Sequence, residues 1–87
     1  MADTPRITAD LGKGDEIAPG LIAEVVSQLG GVDILVNNAG IIRPQPIVEI
    51  TAEDWDDLIA VNLTSVFLMT QAVVPAMREA RWGRIIN

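Results

Sequence analysis

The side chains able to do polar chemistry in this chain are few, and they fall where apolar runs end. Asn37, Asn38, Ala39 and Gly40 close the run that begins at Val32, Asn62 with Thr64 and Ser65 interrupts a long apolar stretch, and Asp10 ends a third run beside Gly12-Lys13-Gly14. Two amides, a small residue and a glycine at the carboxyl end of a buried strand make a ligand-facing turn. In an open α/β sheet the helices cover the faces, so ligands meet the strands at their ends. What is missing bounds the chemistry further. The chain has no Cys, no His and no Tyr. It therefore has no disulfide, no thiol nucleophile, no imidazole base or ligand and no phenol acid, and no metal site is expected. Lys13 is the only lysine.

Each of these residues also has a plainer reading. The turn at Asn37 to Gly40 could be a strand-to-loop turn in which Asn and Gly supply positive φ. Asn62 could be a surface amide or a polar residue satisfied at a helix interface; burying it unpaired would cost about 1 to 3 kcal/mol, so a partner is expected either way. Asp10 could simply close a strand beside a glycine turn. Arg43 and Lys13 read most simply as solvated charges.

The elements that must position these groups follow from spacing and breakers. Pro5 to Leu11, fenced by Pro5 and by Gly12-Lys13-Gly14, predicts a short strand. Ile17, Leu21, Ile22, Val25, Val26 and Leu29 recur at intervals of three and four, the pattern of an amphipathic helix, and Gly30-Gly31 supplies its stop. Pro19 is expected in that helix's first turn. Val32 to Asn37 is apolar except at Asp33 and predicts a central strand covered on both faces. Two strands joined by such a helix are parallel with a right-handed crossover. Pro44 and Pro46 exclude regular structure from the loop Gly40 to Ile50. Thr51 is a good N-cap with Asp54 as a capping-box partner, and Glu53, Asp54, Asp56 and Asp57 crowd the positive end of the helix dipole. Arg78, Arg81 and Arg84 sit near the other end, so one long helical region from about Ala52 to Ala80 is expected, kinked near Pro75 or at Asn62 to Ser65. Gly83 then breaks the helix, and Arg84-Ile85-Ile86-Asn87 begins another strand. The order strand, helix, strand, helix, strand is a β-α-β-α-β unit, part of a doubly wound parallel sheet in a single partial α/β domain over residues 1–87. A domain does not normally end on its own uncovered sheet strand, so an interior fragment is expected.

Composition agrees. A chain of 87 residues buries only roughly 60 to 65% of its unfolded surface, yet 49% of its residues are apolar, far from the signature of disorder. A net charge of −6 with six scattered basic residues argues against nucleic acid and against an anionic membrane surface. Small molecules or proteins remain as partners. Leu58 to Met77 is twenty residues without a charge, about 30 Å of helix and long enough to cross a bilayer. Its Asn, Thr, Ser, Gln and Pro residues instead fit a buried helix gripped on two sides, and no membrane span is expected. The start, Met1 to Arg6, has no apolar run behind a basic region, so no signal peptide is expected and a cytoplasmic location is the default.

Asn37-Asn38-Ala39-Gly40 after an Asp-Ile-Leu-Val strand, then Asp56-Asp57 to Asn62-Leu63 in a helix, then Gly83-Arg84-Ile85-Ile86-Asn87, together resemble the middle of a short-chain dehydrogenase/reductase. The likeness covers the chain from about Arg6 onward. It implies a Rossmann-type fold and an NAD(P)-dependent oxidoreductase that interconverts an alcohol and a ketone, with NAD and NADP undecided. Residue by residue, it implies that Asp10 with Leu11 contacts the adenine ring and that Asn38, Ala39 and Gly40 lie against the cofactor's ribose. Asn37 would tie neighbouring strands together. Asn62 would be the helix asparagine of the catalytic tetrad, its main-chain carbonyl holding a water in a proton relay. The long helix at 52–80 would pack on its counterpart in a second subunit, making a homo-oligomer.

The departures are equally specific. The family's glycine-rich phosphate turn, its catalytic serine and its Tyr-x-x-x-Lys pair are absent from these 87 residues. Without a phenol and its lysine, hydride transfer has no coupled proton transfer, and the chain alone is expected to be inactive. Gly40-Ile41-Ile42-Arg43 is similar to sugar-acid dehydrogenases of the 2-deoxygluconate type, with ketoacyl-carrier reductases a near competitor. The alternative is a non-catalytic fragment or an interaction module that pairs with an intact subunit through the long helix.

Overall fold

A computed structural model of the chain describes residues 4–87. Met1 to Asp3, part of the stretch from which the lack of a signal peptide is expected, lie outside the described residues. The regular elements are α1 (Gly14–Leu29), β1 (Ile34–Val36), α2 (Ala52–Ile59), α3 (Ser65–Ala80) and β2 (Arg84–Ile86). A π turn over Ala60–Thr64 joins α2 to α3, and short 3₁₀ turns occupy Leu11–Lys13 and Ile47–Glu49. The two strands are parallel, with Ile34 opposite Arg84, Leu35 opposite Ile85 and Val36 opposite Ile86. Main-chain bonds from Arg84 N to Asp33 O (3.0 Å) and from Asn37 N to Ile86 O (2.7 Å) extend the ladder at both ends.

The strand expected at Pro5 to Leu11 does not form. Thr4 to Asp10 follow no regular structure, and Leu11 enters a 3₁₀ turn. A strand is defined by a partner for its amides and carbonyls, and among the described residues the sheet offers that segment none. The observed portion of the α/β fold is thus α-β-α-β. The loop after Gly40 also departs slightly from expectation, since Ile47–Glu49 closes a turn directly after Pro46, whose fixed φ suits the approach to one.

Helix α1 starts at Gly14, which places Pro19 in its second turn rather than its first. It ends as its sequence demands: Gly30 takes φ 87° and donates its amide to the Val26 carbonyl, a left-handed cap that glycine adopts without Cβ strain. Helix α2 starts at the expected residue, with Thr51 Oγ1 accepting the Asp54 amide at 3.1 Å. The reciprocal half of a capping box is not made, because the Asp54 carboxylate faces the loop instead. Its Oδ2 accepts from Gln45 Nε2 at 3.2 Å, and its Oδ1 lies 4.0 Å from Arg43 Nε.

At the far end, α3 does not stop at Gly83. Arg81 takes φ 58°, its amide bonds to the Arg78 carbonyl at 3.2 Å, and the Trp82 amide bonds to the Met77 carbonyl at 3.1 Å. These crossed bonds satisfy two of the last four carbonyls of the helix, those of Met77 and Arg78. Gly83 serves packing: a Cβ there would lie 2.5 to 2.9 Å from Met77 side-chain atoms. Helices α1 and α3 lie against each other, and the core between them is small: Ala18, Val73, Met77 and the hydroxyl-bearing Ser65 are its buried members.

Candidate functional site

The turn that leaves β1 is held from the helix behind it. Asn62 Oδ1 accepts the Ile41 amide at 2.9 Å, and Asn62 Nδ2 donates to the Ile41 carbonyl at 2.9 Å. One carboxamide thus reads both polar groups of a single backbone residue, as a neighbouring β-strand would. The same contact explains Gly40. Gly30 and Arg81 are the positive-φ residues among those described, so neither Asn37, Asn38 nor Gly40 is present to supply a left-handed turn. A Cβ on Gly40 would instead approach Asn62 Oδ1 to 3.2 Å, tighter than most real contacts. Gly40 lets the loop lie against the helix amide.

Asn37 does tie the strands together. Its Nδ2 donates to Asn87 Oδ1 at 2.9 Å, beyond the last ladder bond, while its own amide bonds to Ile86. With Asn37 committed to the sheet and Gly40 to Asn62, Asn38 and Ala39 are left exposed at the strand's carboxyl end. Both line a cavity of about 230 Å³ whose other walls include Leu11, Leu35 and Ser65. Leu11 therefore reaches the same space as Asn38 and Ala39. Asp10, Gly40 and Asn62 do not line it. Asp10 Oδ1 accepts the Gly12 amide at 2.9 Å, and its carbonyl accepts from Lys13 N at 3.1 Å, so Asp10 holds the glycine turn as its plainer reading has it, although the strand it is expected to close does not form; Oδ2 lies outside that bond.

Asn62 sits in the π turn that joins α2 to α3. Such one-residue insertions rotate the downstream helix relative to the upstream one and recur at functional sites. Three participants carry weak sequence signals. Ile41 acts through its backbone, which no side-chain pattern reveals. Asn87 is the last residue of the chain, and its pairing with Asn37 depends on strand register. Ser65 had a visible cue, as the last of the polar group that interrupts the apolar helix. It is 4% exposed and donates its hydroxyl to the Val61 carbonyl at 2.6 Å.

Chemically, the arrangement offers a fixed amide-rich edge and an apolar hollow. Such a surface suits holding and orienting a ligand, and among the described residues it has no group placed to accept or donate a proton in a reaction. The hollow is smaller than the roughly 300 to 1,000 Å³ of sites that enclose a ligand, so it could serve as no more than one wall of a site. The sugar and ring portions of a nicotinamide dinucleotide are compatible with such a surface: the exposed strand end would offer main-chain and amide groups, and Leu11 and Ala39 apolar ones.

Comparison with known proteins agrees with this geometry. The family profile described as short chain dehydrogenase matches residues 3–87. The 3-oxoacyl-[acyl-carrier-protein] reductase of Staphylococcus epidermidis is 48% identical over 81 residues, which is 93% of this chain and 33% of the relative. The 2-dehydro-3-deoxy-D-gluconate 5-dehydrogenase of Escherichia coli is 45% identical over 82 residues, 93% of this chain and 32% of the relative. A metagenomic short-chain oxidoreductase solved in complex with NADP superposes with a TM-score of 0.80 at 39% identity, covering 90% of this chain and 35% of that one. The chain thus spans about a third of the length of the curated relatives it matches. A family match over nearly the whole chain, a parallel sheet whose strand end carries Asn37 to Gly40, and the Asn62 clamp behind it agree: the chain belongs to the short-chain dehydrogenase family.

Proposed function

We propose that the chain is the central portion of an NAD(P)-dependent oxidoreductase that interconverts an alcohol and a ketone, and that it supplies the ribose-side wall of the cofactor site. The observation that carries this reading is the Asn62 clamp, which fixes Ile41 through two bonds of 2.9 Å and so presents Asn38, Ala39 and Gly40 as a preformed edge. The cofactor supplies hydride transfer when bound; the protein's part here is to hold and orient it. Asn38 and Ala39 contact the ribose side, Leu11 lines the adjoining hollow, and Asp10 offers its second carboxylate oxygen to the adenine end. Asn62 is the catalytic-tetrad member that this chain provides. No Tyr is present among the 87 residues, so a proton acceptor must come from elsewhere, and the isolated chain is expected to be inactive. The substrate is a small alcohol or ketone, a sugar acid or a ketoacyl carrier being the candidates, and the setting is cytoplasmic.

A second reading, pairing through the long helix, is favoured by one observation. Leu63, Val66, Phe67, Val74 and Pro75 line an apolar groove of about 530 Å³ on its outer side, with Phe67 60% exposed. Ala52–Ala80 is long and apolar enough to cross a membrane, but polar groups interrupt it, and a second subunit seated on that groove accounts for its apolar face. This partner is another copy of the same protein.

The test replaces the matched third of the Staphylococcus epidermidis reductase with these residues. The chimera is expected to keep reductase activity dependent on a nicotinamide cofactor, whereas the 87-residue chain alone turns over no alcohol with NAD or NADP. A folded chimera that binds no nucleotide would overturn the proposal, and saturable turnover by the isolated chain would overturn its inactivity.

A further inference from the structure

The position of Asn62 depends on a turn that an ordinary helix would not make. In a regular α-helix the Ser65 amide would bond to the Val61 carbonyl, four residues back. Here it bonds to the Ala60 carbonyl, five residues back, which leaves the Val61 carbonyl without that donor. The Ser65 hydroxyl takes its place at 2.6 Å. A serine bonding to the carbonyl four residues back is common on helices, where it adds to an existing amide bond. In this turn it substitutes for one. Ser65 is itself buried and its bond to Val61 is part-buried, so water could replace the hydroxyl only in part, and an under-satisfied carbonyl there would be costly.

We infer that Ser65 is a positioning residue: its hydroxyl stabilises the π turn, and through it the rotation of Asn62 toward Ile41. Remove the hydroxyl, and the cheapest repair is to return the Ser65 amide to Val61. That restores a regular helix and removes one residue from the turn, rotating Asn62 by about 100° relative to α3. The amide then no longer faces Ile41, and the loop that carries Asn38, Ala39 and Gly40 loses its anchor. The functional meaning rests on the cofactor-wall reading above, but the geometry does not.

The test is hydrogen exchange at the Ile41 amide, with the Val73 amide in the middle of α3 as the reference for global folding. Ser65→Ala is expected to speed Ile41 exchange roughly tenfold to a hundredfold, the loss of one to two hydrogen bonds, and Asn62→Ala to do the same, with Val73 sped by no more than about fivefold, the global effect alone. Ser65→Thr is the second variant, because it keeps the hydroxyl and its extra methyl can enter the cavity that Ser65 lines; Ile41 should stay protected. The inference is overturned if Ile41 is unprotected in the unmutated chain, if Ser65→Ala leaves it protected, or if Ser65→Thr exposes it while Val73 stays protected. If Ser65→Ala unfolds the chain, the Thr variant alone decides. Nucleotide affinity, measured separately, bears on the cofactor reading and not on this one.

Discussion

At Asn62 a single carboxamide satisfies both the amide and the carbonyl of Ile41, which makes the side chain hard to replace by any other. Asn62→Ala removes both bonds at an exposed site where water can partly compensate, so a loss of about 1 kcal/mol is expected in urea denaturation. Asn62→Asp keeps an acceptor for the Ile41 amide but turns a carboxylate toward the Ile41 carbonyl. It should cost at least as much as Asn62→Ala, and equal stability to the unmutated protein would contradict the clamp. Gly40→Ala places a Cβ 3.2 Å from Asn62 Oδ1 and should cost about 1 kcal/mol, which the same denaturation series measures. The residue types of this site were legible from the sequence, because an amide pair and a glycine after an apolar run have few uses. Their partners were not. Asn62 bonds to a backbone, Gly40 is small for a side chain 22 positions away, and neither relation leaves a periodic trace.

The elements were legible where local chemistry defines them. Gly30 caps α1 because only a left-handed residue closes that end, and Thr51 caps α2 because its hydroxyl meets the Asp54 amide. Thr51→Ala should therefore cost about 1 kcal/mol in thermal or urea unfolding. Where an element depends on distant partners, the local reading failed. Pro5 to Leu11 has strand-like composition but no neighbour in this sheet, and Gly83 looks like a helix breaker but acts as a gap for Met77. Two substitutions separate these roles. Arg81→Gly relieves the left-handed strain at the true helix end and should stabilise by about 0.5 to 1 kcal/mol. Gly83→Ala should destabilise by roughly 1 to 3 kcal/mol by overpacking. Opposite signs in one denaturation series confirm the assignment; equal signs refute it.

Over the whole molecule, the surface is too large for the mass. The chain exposes 6745 Å², some 1,700 Å² more than the roughly 5,000 Å² expected of a globular protein of this size. Its radius of gyration is 15.1 Å against about 12 Å expected. The excess is about twice the area that one partner buries in a standard interface, and exposed Ile34, Val36, Phe67 and Ile86 contribute to it. The apolar composition was visible in the sequence, but which faces would lack cover was not, since that depends on the sheet's neighbours. The proposed pairing of two copies through the α3 groove should weaken at least tenfold in Phe67→Asp, read by sedimentation. The central claim is that Asn38, Ala39 and Gly40 form a wall of a nicotinamide cofactor site. It is tested most directly by hydrogen exchange of the chimeric reductase with and without NADP. Added nucleotide is expected to slow exchange across Asn37 to Ile41 while the outer face of α3 is unchanged. Nucleotide binding that leaves Asn37 to Ile41 exchanging at its original rate would contradict the claim.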